Sequence, residues 1–220
     1  MNTPYDGTDM NTAYKTEQEA FWAGQFGDDY IARNQGQALV ASNLAFFGKV
    51  LPSTRGVASV VEFGANVGMN LEALRKLLPH ASLAAVEINA KAAEQLAARG
   101  GIEVHCQSLL DFRPAREYDF VLIKGVLIHM NPDVLPQVYD LLHRASARYV
   151  CIAEYYNPAP VEVVYRGNHG KLFKRDFAGE MLDRFPDMRL LDYGFLYHRD
   201  PNFPHDDITW FLLEKTGRES

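Results

Sequence analysis

Residues 60–70 read Val-Val-Glu-Phe-Gly-Ala-Asn-Val-Gly-Met-Asn, and they restrict the fold more than any other stretch of the chain. Ala58, Val60 and Val61 are the apolar, largely β-branched residues of a short buried strand. Gly64 and Gly68 sit where a chain leaving a strand must turn sharply and let a ligand approach bare backbone. Leu71, Leu74, Leu77 and Leu78 follow at helical spacing, and Pro79 ends the helix. A strand, a glycine turn and a helix in this order place a nucleotide-like ligand near the helix amino terminus. The turn is not the dinucleotide pattern G-x-G-x-x-G, because an acid, Glu62, precedes the first glycine by two residues and the glycine spacing differs. An acid there repels a pyrophosphate and suits an ammonium group. No Gly-Lys-Ser/Thr follows, so a P-loop is excluded as well. The alternative is an ordinary α/β turn that holds nothing.

The second half of a nucleotide-binding unit is also legible. Leu83 to Glu87 reads as a strand ending in an acid, 19 residues beyond Gly68. That is where such folds place a carboxylate to accept hydrogen bonds from ribose hydroxyls. Asn89 is positioned to cap a helix over 90–99 that Gly100 and Gly101 terminate. Further strands are expected at 102–106, 118–123 and 149–154, with Asn131 and Pro132 opening a helix between the last two. A helix over 176–184 and strands over 188–197 and 208–214 close the chain.

Upstream of the first strand, residues 1–16 are polar, and a helical segment rich in rings begins at Glu17. Phe21, Trp22, Phe26, Tyr30 and Ile31 either pack a helix onto the outside of the sheet or form a lid. In the lid reading Phe21, Trp22, Tyr30, Arg33 and Asn34 border the ligand. A second helix is expected over 37–50. The division is therefore a tail and helical lid or cap over 1–52 and an α/β domain over 53–220.

Composition removes several classes of function. A net charge of −6 argues against a nucleic-acid binder that relies on broad electrostatics. Cys106 and Cys151 both fall in strand-like apolar runs, as reduced core residues do, and give no disulfide framework. No apolar run approaches the ~20 residues of a membrane span and no signal-peptide core opens the chain, which gives a cytoplasmic expectation. His205, Asp206 and Asp207 have no matching ligands elsewhere, so no metal is expected. Against the acidic background, Arg166, His169, Lys171, Lys174 and Arg175 make a local basic segment. It is either a solvated loop or an anion site in which Arg166 binds bidentately.

Glu62-x-Gly64-x-Asn66-x-Gly68 resembles motif I of the class I S-adenosylmethionine (SAM) methyltransferases, with Asn66 in place of the middle glycine. Asparagine tolerates the left-handed backbone that glycine would supply. The resemblance runs from about Ser59 to Lys215. A narrower one, to the pseudaminic acid biosynthesis-associated methylases, rests on Phe21–Tyr30, Gly125–His129, Glu154–Pro158, Tyr165–Gly167, Lys171–Asp176, Tyr197–Pro201 and Asp206–Trp210. It implies a Rossmann-like α/β sheet, mostly parallel with the last strand antiparallel, under an N-terminal helical lid. It implies SAM as cofactor, S-adenosylhomocysteine (SAH) as product, and a small polar, anionic or sugar-related acceptor. Glu62, Gly64, Asn66 and Gly68 would border the methionine half, with Lys124 and Gly125. Glu87 and Ile88 would face the ribose, and Ser108 and Leu109 the adenine, with Asp111 as an alternative polar partner. His129 would face the acceptor, where a neutral imidazole can take a proton; Tyr155 and His169 are the other candidates. Trp22, Tyr30, Tyr156, Arg166, Lys171, Lys174, Arg175 and His198 would contact the acceptor. The rival readings are a SAM-binding regulatory protein without catalysis and an NAD(P)-dependent nucleotide-sugar reductase or epimerase.

Overall fold

In the computed structural model, which describes residues 14–31 and 36–217, the glycine-turn strand lies at the middle of a seven-stranded sheet. The strands β1 (Ser59–Phe63), β2 (Ser82–Glu87), β3 (Ile102–Cys106), β4 (Tyr118–Lys124) and β5 (Ser146–Glu154) are parallel. A two-residue pair, β6 (Val161–Glu162) with β7 (Phe173–Lys174), stands apart. The last two strands, β8 (Met188–Leu196) and β9 (Ile208–Lys215), give the order β3-β2-β1-β4-β5-β9-β8. The final strand β9 is antiparallel to both its neighbours, as the resemblance implied.

Alternation along the central strands builds two cores, one on each face. Val60, Phe120, Leu122 and Cys151 face α3 (Gln37–Val50) and α4 (Met69–Leu77), meeting Phe46, Phe47, Leu71 and Leu74. Val61, Val121, Ile123 and Val150 face α6 (Leu135–Ala145) and α7 (Phe177–Arg184), meeting Val138, Leu142 and Met181. Leu96 of α5 (Ala90–Ala98) joins the first core, and the Asn89 side chain accepts the Ala92 N–H to cap that helix. No helix among the described residues is long and apolar enough to cross a membrane.

Two expectations are corrected. The leading segment is not one helix but two, α1 (Glu17–Ala23) and α2 (Gln25–Ile31), broken at Gly24. Folding them together brings Gly27 so close to Trp22 that a Cβ would lie 1.9 Å from the Trp22 carbonyl oxygen. Cys106 is exposed rather than a core residue: it is the last residue of β3, the outermost strand on its side, beyond the part of that face where Ile102 and Val104 pack against the core. Cys151 is buried as expected. The tail over 1–13 and the proposed lid residues Arg33 and Asn34 lie outside the described residues.

Candidate active site

Parallel pairing in register aligns Phe63 with Val86 on one side and with Ile123 on the other, so the carboxyl ends of β1, β2 and β4 meet. At β1 the connections change direction across the sheet, which opens a crevice between neighbouring strand ends. A cavity of about 520 Å³ lies there, roofed by α1 and α2. That volume is within the range of small-molecule sites. Gly64, Asn66, Glu87, Ile88, Ser108, Leu109, Lys124, Gly125 and His129 line it, with Trp22, Tyr30 and His198.

The glycine turn is held from β2. Glu87 Oε2 accepts the Asn66 N–H at 2.7 Å while Oε1 accepts the Asn89 N–H at 2.8 Å, and Asn66 adopts the left-handed φ of 48°. Burial raises the Glu87 carboxyl above its usual range, opposed by these N–H groups. The two outer glycines of the motif serve packing: a Cβ on Gly64 would meet Val126 at 2.4 Å, and one on Gly68 would meet Leu96 at 2.3 Å. Gly68 does not reach the cavity. Neither does Glu62, which is fully buried. Its Oε1 accepts from Asn70 Nδ2 at 2.6 Å, and its Oε2 has no partner. Burial pushes this carboxyl up to about 8, opposed by the Asn70 bond and by the charge of Lys124.

Across the cavity, Glu154 accepts the N–H groups of Val126 and Leu127 at 2.9 Å and so suspends the 3-10 turn Leu127–His129. Burial pushes Glu154 up to about 7 despite those donors. His129 Nδ1 lies 2.6 Å from the Lys171 carbonyl oxygen and must donate to it, which leaves Nε2 as the lone-pair nitrogen. Its ring packs beside Trp22 at 4.6 Å and Tyr165 at 5.0 Å, and burial pushes the imidazole down to about 4. It is neutral at physiological pH.

The basic segment is placed outside the cavity. Arg175 pairs with Glu180 at 2.7 Å and Lys171 with Glu17 at 3.4 Å, while Arg166 and Lys174 lie over the rings of Tyr165 and Tyr155. His169, with 82% of its side chain exposed, is 3.9 Å from Glu162. Tyr156 is exposed beside Phe211. Tyr155 also lies outside; its hydroxyl bonds Asp206, and burial pushes it above the usual phenol range. Ser108 lines the cavity, but its hydroxyl donates to Glu19 and accepts from Leu110, which docks α1 to the loop after β3. His198 Nδ1 is held by Asp207 at 2.8 Å.

Sequence reasoning missed Gln18, Asn43, Asn70 and His205. All four line the cavity, and together they carry five of the seven buried side-chain polar atoms that lack a partner among the described residues. A sixth, Glu62 Oε2, lies on the residue that Asn70 hydrogen-bonds. Buried unpaired polarity costs stability, so its concentration in one cavity marks a place built for a polar ligand. Asn43 had a visible signal: it is a polar residue within the buried Val40–Phe47 face of α3. Among the described residues no group of three or more His, Cys, Asp or Glu side chains is placed to hold a metal ion.

The backbone has close counterparts among solved structures. A Burkholderia thailandensis 1,6-didemethyltoxoflavin-N1-methyltransferase, with its didemethyltoxoflavin and SAH bound, superposes with a TM-score of 0.67 at 16% identity, covering 96% of this chain and 94% of that one. The magnesium protoporphyrin IX methyltransferase of Synechocystis, with SAH bound, gives 0.64 at 14% identity over 90% and 98%. An amino pentose methyltransferase from Micromonospora echinaspora, bound to SAM, gives 0.59 at 11% over 87% and 96%. This is the class I SAM-dependent methyltransferase fold. No protein-family model matches the sequence, and no curated protein does. In the methyltransferase fold described here, Gly64 and Asn66 of the glycine turn, Glu87 and five of the orphaned polar atoms line the crevice at the strand ends.

Proposed function

We propose that this chain is a SAM-dependent methyltransferase acting on a small polar acceptor, with α1 and α2 as its lid. The observation that carries the reading is the set of unpartnered buried polar atoms around the cavity at the β1 switch point. Its donors and acceptors fit SAM. Glu87, an acceptor at the end of β2, suits a ribose diol; Asn70 Oδ1, unpartnered and backed by Glu62, suits an ammonium. Ile88 and Leu109 supply apolar surface for an adenine, and Gly125 leaves open space where a Cβ would stand.

Bound SAM supplies a methyl group already activated on a sulfonium. The chain's part is alignment, exclusion of water and removal of one proton. Trp22 and Tyr30 close the cavity from above. His129 Nε2, kept as the acceptor nitrogen by the Nδ1 bond to Lys171, receives the proton from the acceptor hydroxyl or amine. The resemblance to the pseudaminic acid-associated methylases supports sugar acids and related anionic metabolites as the first acceptors to screen.

A thermal melt tests the cofactor directly. SAH at about 100 times its dissociation constant should add ~2.7 kcal/mol and raise the midpoint by roughly 5–10 °C. Glu87→Ala should remove the shift, and Glu87→Gln, which keeps the shape, should weaken it. A shift with NADH and none with SAH would replace this reading with the reductase.

A further inference from the structure

One group of cavity-lining residues comes from three separate parts of the chain and is drawn together at His205, which bonds the backbone beside Asn43 and feels the charge of Lys124. Asn43 comes from α3, Lys124 from the end of β4, and His205 from the loop leading into β9. Asn43 is 1% exposed, and neither Nδ2 nor Oδ1 has a partner. His205 is 9% exposed; its ring bonds the Ser42 backbone, and Nε2 is left as an unpartnered lone-pair nitrogen. Lys124 forms no ion pair within reach among the described residues, although Glu62, Asp206 and Glu154 all act on its charge from farther away. Asp206, an acceptor that lines the same cavity, is bonded by the Tyr155 hydroxyl.

Position separates this cluster from the cofactor's half. β2 and β9 are four strand spacings apart in the sheet, roughly 19 Å at the usual inter-strand distance. A ligand whose ribose is held at Glu87 and whose ammonium is held at Asn70, on the helix that follows β1, extends from β2 towards β1, and the part of the cavity lined by the end of β4 and the loop before β9 remains for a second molecule. Chemistry separates it too. His205 Nε2 can be satisfied only by a hydrogen donor, so a carboxylate of the cofactor would leave it orphaned. Asn43 Nδ2 and Lys124 Nζ are donors and require an oxygen, the lysine preferring a charged one.

We propose that Asn43, Lys124 and His205 form the acceptor-recognition subsite, and that the acceptor offers it a hydroxyl or amine hydrogen beside an anionic oxygen. The proposal rests on the methyltransferase reading and narrows its substrate class to small hydroxylated or aminated acids. The anionic group is thus read by one lysine inside the cavity, not by the basic segment outside it.

Saturation-transfer NMR on the SAH-saturated protein tests this, with D-glucuronate and D-glucose as probes and calorimetry of SAH alongside. Glucuronate should receive saturation and glucose at least severalfold less. His205→Phe and Asn43→Asp should each cut the glucuronate signal about tenfold, the first by removing the lone pair and the second by repelling the anion. Both variants should hold SAH within about twofold of the parent. Asn43→Asp preserves the side-chain shape, so it remains informative if His205→Phe folds poorly. Equal signals from both sugars, no glucuronate signal, or a tenfold loss of SAH affinity in both variants would overturn the proposal. Absence of SAH binding to the parent would instead overturn the methyltransferase reading, and calorimetry alone decides that.

Discussion

Single residues carry the chemistry through their surroundings. Glu62 and Glu154 are protonated more readily in the folded chain, at about 8 and about 7, than a glutamate's ordinary 4.5, and burial is the cause in both. These two carboxyls hold extra protons in the folded protein between pH 4.5 and 8, so their contribution to stability falls as pH rises through that window. His129 and His205, each buried and pushed down to about 4, oppose that slope below their usual value of 6.5. The melting midpoint of the ligand-free protein should therefore drop chiefly from about pH 6.5 to about pH 8.5, and Glu62→Gln should flatten much of the slope. A midpoint indifferent to pH would show that neither carboxyl is buried as described. His129 behaves oppositely. With its imidazole pushed down to about 4, it is already neutral at pH 6, so turnover should show no histidine titration near 6.5. His129→Gln should lower kcat by about 10²–10⁴-fold and leave SAH affinity unchanged. Equal losses in both would make it a structural residue.

At the scale of elements, Asn89 joins two devices that the sequence presents separately. Its Oδ1 caps α5, while Nδ2 donates to Asp28 at 2.9 Å and to the Trp22 carbonyl at 3.3 Å, fastening the lid. Asn89→Asp keeps the cap and sets a second carboxylate against Asp28. It should leave the midpoint within a few degrees yet make Trp22 more accessible to acrylamide, a change read against the buried Trp210. Unchanged quenching would mean that the lid is held elsewhere. The same contrast explains what the sequence disclosed. β1, its turn, α4 and the Asn89 cap are local patterns, each set by residues within a few positions, and they were legible. A lid was legible as an alternative, but the contacts that seat it and those that place His205 were not, because their partners are far apart in the chain: Gln18 bonds the carbonyl of Gly170, His129 that of Lys171, and His205 the backbone of Ser42. The basic segment misled for a related reason. Its charges stand together in sequence, but Glu17 and Glu180 pair with two of them from elsewhere in the fold.

At the scale of the whole molecule, β1, β2 and their turns line one part of the cavity, while α3, the end of β4 and the loop before β9 line another. The order of the sheet adds a consequence for how the chain comes into being. β8 precedes β9 in synthesis, yet β9 is the strand that lies against β5. Until β9 docks, β5 has an open edge and β8 has nowhere to pair, with Tyr193 and Phe195 facing water even in the finished fold. An unpaired edge beside exposed rings invites pairing with another chain. The loop that brings His205 into the cavity is continuous with the strand that removes this hazard, so the same stretch of chain that completes the sheet also completes the cavity wall.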